Sequence, residues 1–68
     1  MVTYYLFKGT SHVMKAYKTL TLTVAEFKLI PVPRHLSSDC GICIESKEDL
    51  EPFLKEIDIG YIVSASNN

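Results

Sequence analysis

The sequence carries almost no excess charge: seven lysine and arginine residues stand against eight aspartate and glutamate residues over 68 positions, a formal net charge of −1. Because no basic stripe is present, nucleic acid and anionic membrane are poor candidates as partners. No apolar window reaches the length of a membrane span, and the N-terminus lacks the pattern of a signal peptide. A Ser-His-Asp set, a glycine-rich phosphate loop and paired catalytic carboxylates are also missing. The sequence therefore gives no indication of the common hydrolytic or phosphate-binding enzyme classes.

Cysteine is scarce as well, with two residues in the whole chain. Cys40 and Cys43 stand three positions apart and no secretion signal precedes them, so we expect a reducing compartment, the cytoplasm, where thiols react rather than form structural disulfides. The apolar fraction of 47% and the charged fraction of 22% are typical of a globular protein. The length predicts a single domain over residues 1–68, close to the size limit for a stable core.

Hydrophobic periodicity predicts four strands and two helices in the order βαββαβ. The predicted strands are Val2–Lys8, Glu26–Val32, Gly41–Glu45 and Tyr61–Ser64. The first helix is predicted from about His12 to Leu20, after a turn and N-cap supplied by Gly9, Thr10 and Ser11. Ser46 or Asp49 would cap the second helix, and Pro52, which suits only a first helical turn, favours Asp49.

This order predicts an α+β fold, the ferredoxin-like two-layer sandwich, with an antiparallel sheet of strand order 4-1-3-2 and both helices on one face. In that topology the first strand ends, the first helix begins, the second strand ends and the third begins at one edge of the sheet. Cys40 should therefore lie near Lys8–His12. The N-terminus of a helix stabilises a thiolate, so we expect the pKa of the Cys40 thiol to be lowered there.

Cys40 is the candidate functional residue, a nucleophilic or group-carrying thiol that follows the loop Arg34–Asp39 at the start of the third strand. The alternative is a small buried apolar residue, as most single cysteines are. Together with Cys43 it also matches C-x-x-C, a redox signature. On an extended strand, however, the two side chains point to opposite faces, which would strain a disulfide. A zinc site is the weaker alternative because structural sites use paired motifs at longer spacing. We therefore expect neither a metal nor another cofactor.

Polar residues flank this cysteine. Ser37, Ser38 and Gly41 offer hydroxyl and backbone donors to an anion, and Arg34 could clamp a bound group or an acidic partner. His12 could tune or protonate the thiol, because histidine changes charge near neutral pH. Each of these side chains could equally be no more than a solvated polar residue.

The chain resembles the putative Se/S carrier protein-like family of small bacterial and archaeal proteins over nearly its whole length. The resemblance rests on F-x-x-[ST]-x-x-[VA]-[ML]-K-A at Phe7–Ala16, L-I-P-V-P-R at Leu29–Arg34 and S-S-x-C-G at Ser37–Gly41. It implies a small α/β carrier that holds sulfur or selenium on Cys40, flanked by Arg34, Ser37, Ser38 and Gly41. In the family a small or apolar residue usually stands at the position of Cys43, so a redox pair is not implied.

The function expected from these observations is a sulfur or selenium carrier without substrate turnover of its own, which exchanges the atom with donor and acceptor proteins. Two alternatives stay open: a thiol-disulfide redox protein that uses Cys40 and Cys43, and a non-catalytic interaction or regulatory module. The first strand offers apolar side chains to both faces of the sheet, Tyr4 and Leu6 on one and Tyr5 and Phe7 on the other. We therefore also expect the face without helices to be covered by a second copy of the chain or by a partner chain, and we favour the homodimer.

Overall fold

The computed structural model of the protein describes residues 2–33, 36 and 41–66. Within these ranges the chain forms four strands and two α-helices in the order βαββαβ. The strands are β1 (Val2–Phe7), β2 (Lys28–Pro31), β3 (Ile42–Ser46) and β4 (Tyr61–Ser66). The helices are α1 (Thr10–Thr21) and α2 (Glu51–Leu54), and α2 continues into a 3-10 turn over Lys55–Ile57.

The strands form one antiparallel sheet in the order β2-β3-β1-β4. Read from the β4 edge, this order is 4-1-3-2. The α+β class expected from the sequence is confirmed. β1 lies in the interior of the sheet, as its apolar residues on both faces predict. β2 lies at an edge of the sheet, next to β3. An edge strand tolerates Pro31, which has no backbone N–H group to donate.

Both helices pack on the same face of the sheet. The buried residues on this face come from β1, α1, β3 and the start and end of α2; they are Tyr5, Phe7, Val13, Ala16, Leu20, Ile44, Leu50 and Leu54. Full burial of one large aliphatic side chain contributes roughly 1.5–3 kcal/mol. In a chain of this length, this cluster is the main source of stability.

A second, smaller cluster lies on the sheet face that the helices leave uncovered, and we call it the open-face cluster. Its buried members are Tyr4, Leu6 and Cys43, and the partly buried side chains packed against them are Val2, Ile30, Val32 and Leu36. Tyr4 is 9% exposed and Leu6 is 5% exposed. The centre of this face is therefore already shielded by residues of the same chain.

The predicted start of the first helix at about His12 is wrong by two residues. Gly9 is the N-cap in an extended conformation, and its carbonyl accepts hydrogen bonds from the N–H groups of both His12 and Val13, at 3.1 and 3.2 Å. Thr10 and Ser11 therefore belong to the first helical turn, and neither is the cap. At the other end the helix reaches Thr21, whose hydroxyl donates to the Lys18 carbonyl at 2.8 Å within the helix.

The predicted cap of the second helix is also wrong, because the N-cap is Leu50 rather than Ser46 or Asp49. The N–H of Leu50 donates to the hydroxyl of Tyr5 at 3.0 Å. The Asp49 carboxylate accepts from the Glu51 N–H at 3.1 Å, so it contributes to this helix start without being its cap residue. Pro52 does lie in the first turn, as predicted.

The predicted strand boundaries differ from the observed ones by one to two residues at most ends. β2 begins at Lys28 rather than Glu26, because the Glu26 backbone bonds to side chains. The Glu26 N–H donates to the Glu48 carboxylate at 2.6 Å, and the Glu26 carbonyl accepts from the Ser46 hydroxyl at 2.6 Å. β3 is shifted by one residue, to Ile42–Ser46, and β4 extends to Ser66 through its pairing with Val2.

Candidate functional site

The predicted site residues divide into two groups. Cys40, Arg34, Ser37 and Ser38 lie outside the described residues. The others are described, and they come from the start of α1 and from β3 and the position before it: Gly9, Thr10, Ser11, His12, Gly41 and Cys43. The described part of the predicted site therefore consists of these six residues.

The strand pairings bring four ends of secondary-structure elements to one edge of the sheet, which we call the site edge: the end of β1, the start of α1, the end of β2 and the start of β3. β1 pairs with β3 through Tyr5 opposite Ile44, so β1 ends and β3 begins towards the same edge of the sheet. On the other side of β3, Pro31 of β2 pairs with Ile42, and the Val32 N–H donates to the Gly41 carbonyl at 3.1 Å. Gly41 therefore lies at the edge of the sheet at which α1 also begins.

The N-terminus of α1 carries an uncompensated partial positive charge. Its first turn contains no acidic residue, and its N-cap, Gly9, has no side chain that could accept a capping hydrogen bond. The His12 and Val13 N–H groups are taken by the Gly9 carbonyl. Two N–H groups of the helix start are therefore already used within the chain. A helix start of this kind stabilises a nearby anion electrostatically.

His12 is half-buried at this helix start. Its Nδ1 atom is buried and has no hydrogen-bond partner among the described residues. Buried polar atoms in proteins are rarely left without a partner. The ring is therefore in a position to accept or donate a hydrogen bond at the site edge.

Cys43 lies on the opposite face from Ile42 and Ile44, as strand alternation predicts. It is fully buried, with 0% of its surface exposed, in the open-face cluster. A thiol reacts as a solvent-accessible thiolate, and burial in an apolar cluster disfavours that form. The pairing of Cys40 with Cys43 stays a prediction, since Cys40 is not described.

Two backbone hydrogen bonds and one apolar contact involve described residues of the connection between β2 and β3. The Val32–Gly41 bond closes its base, and the Leu36 N–H donates to the Pro33 carbonyl at 3.0 Å, which closes a tight turn. The Leu36 side chain packs against the open-face cluster. The sequence analysis did not identify Leu36. The signal was available, because Leu36 is the single apolar residue in the loop Arg34–Asp39.

A cavity of about 530 Å³ lies between Ala25–Lys28 and Glu45–Glu48, at the sheet edge away from Gly41. Several of its polar groups have structural partners: Ser46 donates to the Glu26 carbonyl, and its hydroxyl accepts from the Glu48 N–H at 2.9 Å.

In the described part of the chain, no group of three or more His, Cys, Asp or Glu side chains could hold a metal ion. No helix in the same residues is long and apolar enough to cross a membrane.

The described residues define a small α+β domain in which α1 starts at the same edge of the sheet as β3. Residues 3–62 match the model of the family described as "Putative Se/S carrier protein-like". The chain belongs to this family. No curated protein and no solved structure matches it.

Proposed function

We propose that the protein is a carrier that holds one sulfur or selenium atom on Cys40 and passes it between partner proteins, without substrate turnover of its own. Family membership over residues 3–62 is the observation that carries this proposal. The second support is the position of Gly41, the residue after Cys40, at the site edge. A thiol carrier needs a reducing compartment, so the proposal includes a cytoplasmic location.

The transfer step is a thiol exchange. The Cys40 thiolate attacks the terminal sulfur of a cysteine persulfide on the donor protein; the new S–S bond forms as the donor's S–S bond breaks, and the donor cysteine leaves as a thiolate. Cys40 then bears a persulfide. A nucleophile on the acceptor attacks the terminal sulfur, and the Cys40 thiolate leaves in turn. The sulfur atom keeps its oxidation state throughout, so no separate oxidant or reductant is required. With selenium, the selenium atom takes the place of the terminal sulfur.

The helix start supplies electrostatic support for this chemistry. Both the attacking thiolate and the persulfide formed from it are anions, and each is stabilised by the partial positive charge at the N-terminus of α1. In an extended strand, residue 40 shares a face with Ile42 and Ile44, which point to the side where α1 packs.

Four further residues have proposed roles in holding the anion. Arg34 supplies a positive charge, Ser37 and Ser38 supply hydroxyl donors, and His12, with its buried Nδ1 atom unsatisfied among the described residues, supplies a hydrogen bond or a proton. No acidic residue in the first turn of α1 competes with the anion for these groups.

The partners would be a sulfur or selenium donor and an acceptor. A homodimer remains part of the proposal, but the surface available to it is smaller than the sequence suggests, because Tyr4 and Leu6 are already covered by residues of the same chain. Ile62 of β4, which pairs with Leu6 and shares its face, is 65% exposed and is an apolar side chain that the described residues offer to such a contact.

Intact-mass spectrometry tests the function. After treatment with glutathione persulfide, a carrier gains about 32 mass units on Cys40, and about 80 after a selenium donor. A redox pair instead loses about two mass units when treated with a mild oxidant. A Cys43→Ala variant should still gain the atom and a Cys40→Ser variant should not. No change of either thiol would contradict the proposal and leave the interaction module as the explanation.

A further inference from the structure

We propose that the outer edge of β4 is the pairing surface for a second copy of the chain. The β4 strand of that copy adds to it in the antiparallel direction, so that two four-stranded sheets join into one. The inference rests on the homodimer included in the proposed function and names its contact surface, whereas the chemistry at Cys40 is independent of it. Two observations carry it: the contrast between the two edges of the sheet, and the exposure of apolar side chains on β4.

The β4 edge has none of the features that usually block strand pairing. In the described part of the chain β4 pairs with β1 only, so the N–H and C=O groups of every second residue point away from the sheet. The strand has six residues, Tyr61–Ser66, with no proline, no glycine and no charged residue. Its register with β1 runs without a bulge from Phe7–Tyr61 to Val2–Ser66. Natural sheets protect such an edge with short strands, lysine, proline or bulges, and an edge without them is a template for another strand.

The opposite edge of the sheet, formed by β2, is protected. β2 has four residues, carries the exposed Lys28 and ends at Pro31, which has no N–H group to donate. A second proline, Pro33, follows two residues later. The β2 edge is therefore a poor partner for the β4 edge of another copy, which disfavours head-to-tail growth into a filament. Pairing of β4 with β4 closes at two copies, in the isologous arrangement that is commonest among soluble oligomers.

The charge pattern suits a second copy as the occupant. When a strand pairs with itself, any charge that it carries lies near the same charge on the other copy, and like charges on facing strands are destabilising. β4 carries no charge. The charged residue that most closely precedes it is Asp58, and antiparallel pairing places the two copies of Asp58 at opposite ends of the contact.

The exposed apolar side chains indicate the register of the pairing. Val63 lies level with Tyr5, on the face that the helices cover, and is 42% exposed; Ile62 lies level with Leu6, on the open face, and is 65% exposed. With the two-fold axis at Val63, the Val63 side chains of the two copies lie directly opposite each other. The two Ile62 residues then lie diagonally, about 7–8 Å apart, still within reach of long side chains. This register covers an exposed apolar side chain on each face.

The pairing leaves both site edges open. β4 begins at the site edge, because Tyr61 pairs with Phe7 at the end of β1. The antiparallel copy therefore has its own site edge at the other end of the joined sheet. Each copy can meet a donor or an acceptor protein without separation of the dimer.

The test is a cysteine scan along β4 in a Cys40→Ser, Cys43→Ala background, with oxidation by diamide and with folding checked by circular dichroism. Residues directly opposite have Cα atoms about 5 Å apart, which a disulfide spans, whereas a diagonal separation of about 7–8 Å exceeds its reach. Val63→Cys should therefore shift from the mass of one chain to that of two, and Ile62→Cys and Ser64→Cys should not. Leu22→Cys, at an 88% exposed position after α1, is the control for random collision.

Two results of the scan would overturn the inference. Crosslinking strongest at Ile62→Cys would indicate a contact through the open face instead of the edge. A yield at Val63→Cys no higher than at Leu22→Cys would indicate collision alone, and the β4 edge would then be left to a strand of another protein.

Hydrogen exchange of the wild-type chain is the second measurement, and it decides the question if a cysteine variant does not fold. From micromolar to millimolar concentration, backbone exchange in β4 should slow, because its outward N–H groups gain partners, while exchange in β2 should stay the same. Exchange in β4 that does not change with concentration would overturn the inference. Persulfide uptake by the same protein separates the two proposals: uptake with unchanged β4 exchange retains the carrier and loses the pairing, and slowed exchange without uptake does the reverse.

Discussion

The hydroxyl of Tyr5 on the central strand accepts a hydrogen bond from the backbone N–H of Leu50 at 3.0 Å, across 45 residues of sequence. The same hydroxyl donates to the Glu48 carbonyl at 3.4 Å. Leu50 is the N-cap of α2, and its own side chain makes no capping hydrogen bond. One tyrosine therefore fixes the start of the second helix against the sheet.

Replacement of Tyr5 by Phe should destabilise the domain, because it leaves a buried N–H of Leu50 without a partner. The expected loss of unfolding free energy is about 1–3 kcal/mol, measured by urea denaturation. Tyr61→Phe is the matched control: its hydroxyl donates to the Glu51 carboxylate at 3.2 Å in a part-buried position, where water can take over the bond. A Tyr5→Phe variant as stable as Tyr61→Phe would contradict the assigned role.

Stability should also decline in base. Burial raises the pKa of Tyr5, and burial followed by the Glu51 hydrogen bond raises the pKa of Tyr61. A raised pKa in the folded state means that folding favours the protonated phenol. The contribution is fully present below the unfolded value of about 10 and is lost as the pH rises through the folded pKa. Unfolding free energies measured from pH 8 to 11 should fall at the upper end, and less steeply in Tyr5→Phe. Equal slopes would count against burial as the cause.

Sequence patterns were sufficient for the element order, the interior position of β1 and the separation of Cys43 from Ile42 and Ile44, because alternation and helical spacing report directly on burial. The start of α1 was misplaced because the cap is a glycine whose backbone, not a side chain, closes the first turn. The covering of the open face was missed for another reason. It depends on the contact of Leu36 with the open-face cluster, and no periodicity records such a long-range contact.

Cys40 should react faster than Cys43 with alkylating agents near neutral pH. Cys43 is fully buried, whereas Cys40 precedes Gly41 at the site edge near the start of α1. Rates measured against pH on Cys40→Ser and Cys43→Ser assign each thiol separately. Equal rates with midpoints near pH 8.5, the value of an ordinary cysteine, would contradict the prediction.

Arg34→Gln should shorten the lifetime of the adduct on Cys40, or slow its transfer, with little change in melting temperature, because it removes a positive charge from the proposed anion seat. Lys47→Gln is the control, since Lys47 follows β3 at the edge of the sheet away from Gly41. Adduct decay is measured by intact mass over time. A variant that unfolds, or one that decays like Lys47→Gln, would count against the role of Arg34.

A homodimer, if it forms, should depend on the exposed apolar side chain of β4. Ile62→Lys should shift a dimer to a monomer of about 8 kDa in sedimentation at micromolar concentration, because it places a charge in the contact. Leu22→Lys is the control, since Leu22 is also exposed but follows α1, which packs on the other face. A wild-type protein that sediments as a monomer would exclude the homodimer and leave the carrier function unaffected.

Cyanolysis of the loaded protein tests the carrier function most directly. The protein is treated with glutathione persulfide, freed of excess donor and mixed with cyanide, which attacks the terminal sulfur and releases thiocyanate as the Cys40 thiolate leaves. We predict about one thiocyanate per chain, formed together with the loss of about 32 mass units, in the wild type and in Cys43→Ala. Cys40→Ser should release none. No thiocyanate from the wild type, or an equal yield from Cys40→Ser, would contradict the assignment of a transferable sulfur to Cys40.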